Sequence, residues 1–437
     1  MTTTTCKDIS ELLEAVKRAK PANKDSVDPK AEKLLEELRK CIVLHYFLDE
    51  LVEAHVWIKM FQNIVKKCVA AVHAKNVLLP KEFRSFVSDP LHHLSKKLFN
   101  YAYEFARGRL DEESFLRVAE AAVRTSLRSN LRSLYENWVF LALVYELGTL
   151  YSARIVFPEH MHILLERSGR QRGGGIPPNL ILALEGRGYL SFFLEAPRPI
   201  GWGDTKDLAK SWKFYVALRP DLLVYSGRIV DIVVPKGDPP ILQPTVIIEC
   251  KELEDWYLRT REVRGPFAEP MTAEEWRNRW LKGLWAGLAD ILGVDNVERA
   301  YEVVKRRKGI RLREPQIVKL YAKLYRPKTM FLVSRKPVPS WVKSELEIDN
   351  IIVVDNVGFN EERLREIVDE LEKIAGYEGV DRDLVPVRRD DIEKLDKLMM
   401  LAGLKSREEL VSALIHYVWV HKDEFIRELS RLQRLDS

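Results

Sequence analysis

The sequence predicts a mixed α/β protein in three parts: a helical N-terminal region, an α/β core, and a small C-terminal module after Gly379. Three observations carry this reading. From residue 7 to about residue 150, apolar residues recur at spacings of three and four, as in Leu12, Leu13 and Val16, and again in Leu34, Leu35, Leu38 and Ile42. That is the spacing of one buried face of a helix. From Tyr151 onward the texture changes to short β-rich runs separated by Gly and Pro. After Gly379 two short helical patterns with polar start signals return.

Composition bounds the class. The chain has 437 residues, 46% of them hydrophobic and 31% charged. That is enough for two or three domains with a sizeable core, and too apolar for a disordered chain. Gly, Pro and Cys are at ordinary levels, which excludes collagen-like, low-complexity and disulfide-scaffold proteins. The long apolar run Trp138 to Tyr145 is fenced by Glu136 and Glu146 and is far shorter than the roughly 20 residues of a membrane helix. No membrane association is expected. The opening residues Met1 to Cys6 lack an apolar signal core, so a cytoplasmic location is expected. The cysteines Cys6, Cys41, Cys68 and Cys250 have no metal-binding pair spacing, which argues against a zinc ribbon or an iron–sulfur cluster. Scarce Gln with abundant Lys, Arg and Glu is a balance common in thermophile proteins. The net charge of +5 permits a nucleic-acid partner without requiring one.

Taken in order, residues 1–120 read as a helical N-terminal domain, with a polar linker from Pro21 to Lys30. Residues 121–378 read as the core. Its expected strands are Ala153 to Phe157, Ile181 to Leu184, Leu190 to Glu195, Phe214 to Leu218, Leu222 to Tyr225, Ile229 to Val234 and Val246 to Cys250. Met330 to Val333 and Ile351 to Val354 read as buried strands. Helices are expected from Thr272 to about Leu292, from Gln316 to Tyr325 and from Asn360 to Ala375. Residues 253–314 form a long Trp-containing insertion into this core.

The residues that carry chemistry are Arg219-Pro220-Asp221 and Glu249-Cys250-Lys251. The first lies at the start of one strand and the second ends another. A carboxylate in each place can converge on a hard divalent cation such as Mg²⁺, which prefers oxygen ligands. Strand alternation puts Glu249 and Lys251 on one face and Cys250 on the other. Lys251 could then orient or polarise an attacking water.

This pattern resembles the PD-(D/E)xK nuclease superfamily, matched here by Pro220-Asp221 and Glu249-x-Lys251. The resemblance implies a restriction-endonuclease-like core, a central mixed sheet flanked by helices. It also implies Mg²⁺-dependent hydrolysis of phosphodiester bonds, with Mn²⁺ able to substitute and DNA favoured over RNA. Asp221 and Glu249 would be metal ligands and Lys251 catalytic. Glu136, opening an apolar helix before the hairpin, suits the further carboxylate this family often carries. The competing reading is a catalytically inactive scaffold or regulator of the same fold, against which the intact Asp, Glu and Lys set speaks. Gln316 reads as an exposed helix residue.

Local charge suggests where nucleic acid would bind. Between residues 299 and 313 seven basic side chains, among them Lys305, Arg306, Arg307 and Lys308, accompany one acid, Glu302. Arg124, Arg128 and Arg132 are spaced by four and lead towards Glu136 on a helix face. Arg170 and Arg172 adjoin three glycines in a basic hairpin tip.

Residues 380–437 combine a short strand (Leu384 to Arg388), a helix with Ile392, Leu395, Leu398, Met399 and Ala402 on one face, a stop at Gly403, and a helix capped by Ser406. This order resembles the ribbon-helix-helix family, which forms intertwined dimers that can bind DNA. Pro386 inside the ribbon and a slight acidic excess favour dimerisation over base readout. A homodimer is therefore expected.

Overall fold

In the computed structural model the described residues are 8–19, 29–166, 176–196, 219–234, 241–263, 287–295, 298–300, 302–303, 310–379, 389–404 and 407–433. The expected strand Phe214 to Leu218, most of the helix from Thr272 and the ribbon strand Leu384 to Arg388 lie outside them. The chain divides into two compact units, Met1–Val380 and Asp381–Ser437.

The first unit begins with α1 (Ile9–Ala19), α2 (Pro29–Ala71), α3 (Lys81–Ser88), α4 (Pro90–Lys97), α5 (Phe99–Ala106) and α6 (Glu112–Tyr151). The Asp111 carboxylate caps α6 by accepting from the amide of Ser114 at 2.7 Å. Trp138 to Val144 are buried on every side of that helix, as a helix inside a large core requires. The expected domain boundary at residue 120 falls within α6. The N-terminal helices and the sheet share one hydrophobic core.

Strands follow in chain order: β1 (Asn76–Leu78), β2 (Arg154–Phe157), β3 (His162–Leu164), β4 (Leu180–Leu184), β5 (Gly188–Leu194), β6 (Leu222–Ser226), β7 (Val246–Lys251), β8 (Thr260–Val263), β9 (Ile310–Arg313), β10 (Thr329–Ser334) and β11 (Ile351–Val354). Seven of them form one mixed sheet in the order β11-β10-β7-β6-β5-β4-β2. Neighbours from β2 to β7 are antiparallel, whereas β7, β10 and β11 are parallel. The parallel pairs are joined by helices, α7 (Glu314–Tyr325) before β10 and α8 (Ser340–Glu347) before β11. Helix α9 (Arg365–Ile374) follows a short 3₁₀ turn.

All six residues of β7 are buried. Its Val246, Ile248 and Cys250 join the core shared with the N-terminal helices. Ile247 faces the opposite core, with α7 and α8. The apolar run Val246 to Ile248 of β7 fits a strand covered on both faces. Ile229 to Val234, expected as a strand, makes only an isolated bridge from Val233 to Ile241. The Asp231 carboxylate accepts from the amides of Ile176 and Val233 at 2.8 and 3.0 Å, and this local turn competes with ladder formation. At the far end of β5, Gly188 has φ +113, and a Cβ there would overlap the backbone of Gly376. That close approach lets Tyr189 bridge to Gly376.

The second unit contains α10 (Arg389–Leu401), α11 (Arg407–Val420) and α12 (Lys422–Gln433). Gly403 is left-handed, φ +65, and follows the end of α10, as its sequence position predicts. The third helix, α12, goes beyond the strand and two helices expected. Among the described residues no helix is long and apolar enough to cross a membrane. Cys41 is disulfide-bonded, while Cys68 and Cys250 are free and buried.

Candidate active site

The antiparallel register places Leu222 opposite Ile248, so Asp221, one residue earlier, reaches the Glu249 level. The amide of Asp221 donates to Glu249 Oε2 at 3.3 Å. The amide of Cys250 in turn donates to Asp221 Oδ2 at 2.7 Å. Glu249 and Lys251 share one strand face, and Lys251 Nζ donates to Glu249 Oε1 at 2.8 Å. The same ammonium donates to Glu314 Oε2 at 3.0 Å. Glu314 sits at the first position of α7, before Pro315. Lys251, Glu249, Glu252 and Glu314 are all buried.

These side chains line one cavity of about 410 Å³ together with Glu136, Glu195, Arg128, Arg132, Arg219, Trp256, Arg259 and Tyr321. Glu136 is brought in by α6, where Arg132 pairs with it one turn away at 2.9 Å. Arg219 holds Glu195 through the carboxylate at 3.5 Å and the carbonyl at 3.2 Å. The amide of Glu195 donates to the Asp221 carbonyl at 2.8 Å, tying the end of β5 to the start of β6.

The electrostatics of the cavity are dominated by crowded acids. Burial pushes the Glu136 carboxyl up to about 7 against the pull of Arg132, with Glu195, Glu252 and Glu249 adding to the rise. The Asp221 carboxyl is raised well above the usual carboxylate range, by burial first and then by Glu136 and Glu249, with Lys251 and Arg132 opposing. Arg132 is raised, chiefly by Glu136. Taking such charges out of water costs several kcal/mol each in order of magnitude. Perturbed carboxylates clustered in a cleft are a mark of functional sites.

The donor set suits a hard divalent cation, since it consists of carboxylate oxygens whose mutual repulsion a cation would relieve. In this arrangement, however, Glu249 is turned to Lys251, Glu136 to Arg132 and Asp221 to the Cys250 amide. Among the described residues no three His, Cys, Asp or Glu side chains come together closely enough to hold one ion.

No family model, curated protein or solved structure matches the chain. The reading of the site therefore rests on its residues.

Asp221, Glu249, Lys251, Glu136, Arg128 and Arg132, all singled out from the sequence, line the one cavity. Arg124 does not line it; this side chain pairs with Glu120 at 2.6 Å and lies 5.3 Å from the Phe47 ring centre. Arg170, Arg172, Lys305, Arg306, Arg307 and Lys308 lie outside the described residues. Gln316 accepts from the amide of Arg313 at 2.9 Å, a capping role at the start of α7. Sequence reasoning missed Glu195, Glu252 and Glu314. Glu314 had a usable signal, an acid followed by Pro at a helix start. Glu195 closes a β-rich run just as Glu249 does, but without a nearby Lys to mark it.

Proposed function

We propose that the chain is a metal-dependent nuclease of the restriction-endonuclease-like class that hydrolyses phosphodiester bonds, with DNA favoured over RNA. The observation that carries this reading is the meeting of Asp221, Glu249 and Lys251, from neighbouring strands, in one buried cavity that also receives Glu136 from α6. The sheet, with β6 and β7 antiparallel and β7, β10 and β11 parallel, supports it. Asp221 and Glu249, with Glu136, would hold Mg²⁺ or Mn²⁺. When bound, that ion supplies Lewis-acid polarisation of a phosphoryl oxygen and a more acidic water. Lys251, held between Glu249 and Glu314, orients the water and offsets charge growing on the phosphate. Arg128, Arg132 and Arg219 give the cavity wall positive charge for neighbouring phosphates.

The test is cleavage of plasmid, linear duplex, single-stranded DNA and RNA in Mg²⁺, Mn²⁺ or EDTA. Asp221→Ala and Lys251→Ala should each lower cleavage by about a hundredfold or more, and EDTA should abolish it. Metal-dependent cutting that is equal in wild type and both variants would overturn the assignment.

A non-catalytic scaffold is the second reading. It is favoured by the ion pairs Lys251–Glu249, Lys251–Glu314 and Arg132–Glu136, which already answer three of the cavity's acids internally. Binding of nucleic acid by the wild type without cleavage under any metal would select it.

For the C-terminal unit we propose pairing with a second copy of the chain through ribbon-helix-helix-like association. Support comes from apolar side chains left exposed along α10 and α11, among them Met400, Leu401, Ile415 and Trp419.

A further inference from the structure

A line of aromatic rings runs from the cavity wall to the surface. Trp256 lines the cavity and contacts Tyr257 edge-on, with ring centres 5.8 Å apart. Tyr257 contacts Trp341 edge-on in turn, at 5.7 Å. Trp341, the second residue of α8, is 47% exposed. Its ring is not loose. Arg313 places its guanidinium 5.9 Å from the ring centre. Glu345, one turn further along α8, holds that guanidinium through both carboxylate oxygens at 3.1 and 3.2 Å. Arg313 ends β9, directly opposite Thr260 of β8, and Thr260 lines the cavity. The exposed Arg311 lies on the same face of this two-stranded ribbon, since it pairs with Glu262 two positions on.

A single exposed Trp is ordinary on a protein surface. Here a ring packed against Tyr257 and the Arg313 guanidinium stands two ring contacts from a cavity that holds the candidate catalytic residues. The indole N–H of Trp256 is buried in the same wall, without a hydrogen-bond partner among the described residues.

We propose that Trp341, steadied by Arg313 and Tyr257, is a stacking platform for an unpaired nucleobase, so that the nuclease takes single-stranded nucleic acid or a frayed end. This inference rests on the nuclease reading above and specifies its substrate. The physics is that every base has a π-face an indole can cover, while Arg313 and Arg311 meet the adjoining phosphates. A base inside an intact duplex has both faces stacked and cannot use the platform.

The experiment measures binding of the full-length chain, in EDTA to prevent cleavage, by fluorescence anisotropy. The probes are a short labelled oligothymidine, a duplex of the same length, and an abasic strand of the same length. Wild type should bind oligothymidine more tightly than the abasic strand. Trp341→Ala should weaken oligothymidine binding by roughly five- to a hundredfold. The same variant should leave abasic and duplex binding nearly unchanged. Trp341→Phe should restore most of the loss, which a purely structural role for the side chain would not predict. Equal binding of oligothymidine by wild type and Trp341→Ala would overturn the platform while leaving the nuclease reading intact. So would a loss shared equally by the abasic strand. Failure of every probe to bind the wild type would overturn the platform, while the nuclease reading stands or falls by the cleavage assay above.

Discussion

Residues 1–380 and residues 381–437 treat their apolar side chains in opposite ways. In the first unit both faces of the seven-stranded sheet are covered, one by the N-terminal helices and α9, the other by α7 and α8. In the second unit Met400, Leu401 and Trp419 are 76%, 85% and 71% exposed, and Leu410 is the residue that reaches full burial among those described. The first unit exposes some apolar side chains too, with Leu48, Val52, Val56 and Met60 spaced by four along α2, but these are about half-covered. The contrast follows from size and layering. A sheet with helices on both sides encloses its own core, whereas three helices of 12 to 14 residues bury too little among themselves.

The largest effect should come from the densest part of the first unit. Trp138 is fully buried, stacked on Tyr135 with ring centres 6.2 Å apart and edge-on to Phe359 at 5.2 Å. Trp138→Ala is expected to cost about 3–5 kcal/mol, read as a lower melting temperature of the main transition. A change within experimental scatter would show that this cluster is not the continuous core it forms here.

The same contrast explains what could be read from the sequence. Elements of the first unit with strong patterning fell where expected: Ile351 to Val354 is β11 to the residue, and Leu222 to Tyr225 and Val246 to Cys250 each extend by one residue. Alternation put Glu249 and Lys251 together because β7 runs as a regular strand through both residues. Asp231 defeated the strand expected at Ile229 to Val234, since a side chain that satisfies nearby amides carries no periodic signal. Glu314 and Glu195 reach the cavity through long-range packing of α7 and β5, which spacing in one chain segment does not encode. Arg124, placed on the basic face by its spacing, is captured by Glu120 one turn earlier on the same helix and by Phe47 of α2, a neighbour that spacing along α6 does not show.

Within the first unit the cavity departs from the rule that the core is apolar, and its acids should be destabilising. The folded-state pKa of Asp221 is raised. Stability linked to it is therefore fully present below its unfolded pKa and is lost as pH rises through the folded value. At neutral pH an amide should do better. Asp221→Asn keeps an acceptor for the Cys250 amide and removes a repelling charge. It is expected to raise stability in EDTA by about 1–2 kcal/mol while abolishing cleavage. Adding Mg²⁺ should raise the melting temperature of wild type but not of this variant. A lower melting temperature for Asp221→Asn in EDTA would contradict the repulsive arrangement of Asp221, Glu136 and Glu249.

Asp355 shows the opposite sign at the edge of the same unit. Burial alone would raise its carboxyl, but the amide of Val338 and the ammonium of Lys343 outweigh burial and hold it below the usual carboxylate range. The two bonds are 2.7 and 2.9 Å long. Stability from this group is present above its unfolded pKa, about 3.9, and is lost as pH falls through the lower folded value. Asp355→Asn should cost about 1 kcal/mol at neutral pH, and the difference from wild type should vanish on acidification. A cost that persists unchanged in acid would show that shape, not charge, matters there.

The smallest change in stability is expected in the second unit. Trp419→Ala on α11 should alter the melting of a dilute, monomeric chain by no more than about 0.5 kcal/mol, because the indole already meets water. The informative response is in association. Replacing Ile415 and Trp419 together by Glu puts charge on the exposed α11 face, and sedimentation should shift from dimer to monomer with the main melting transition unmoved. If Trp419→Ala cost as much as Trp138→Ala in the monomer, that face would be covered within a single chain, and the opposition between the two units would fall. If the double Glu variant sedimented as the wild type does, the apolar residues of α10 and α11 would have to serve something other than a second copy.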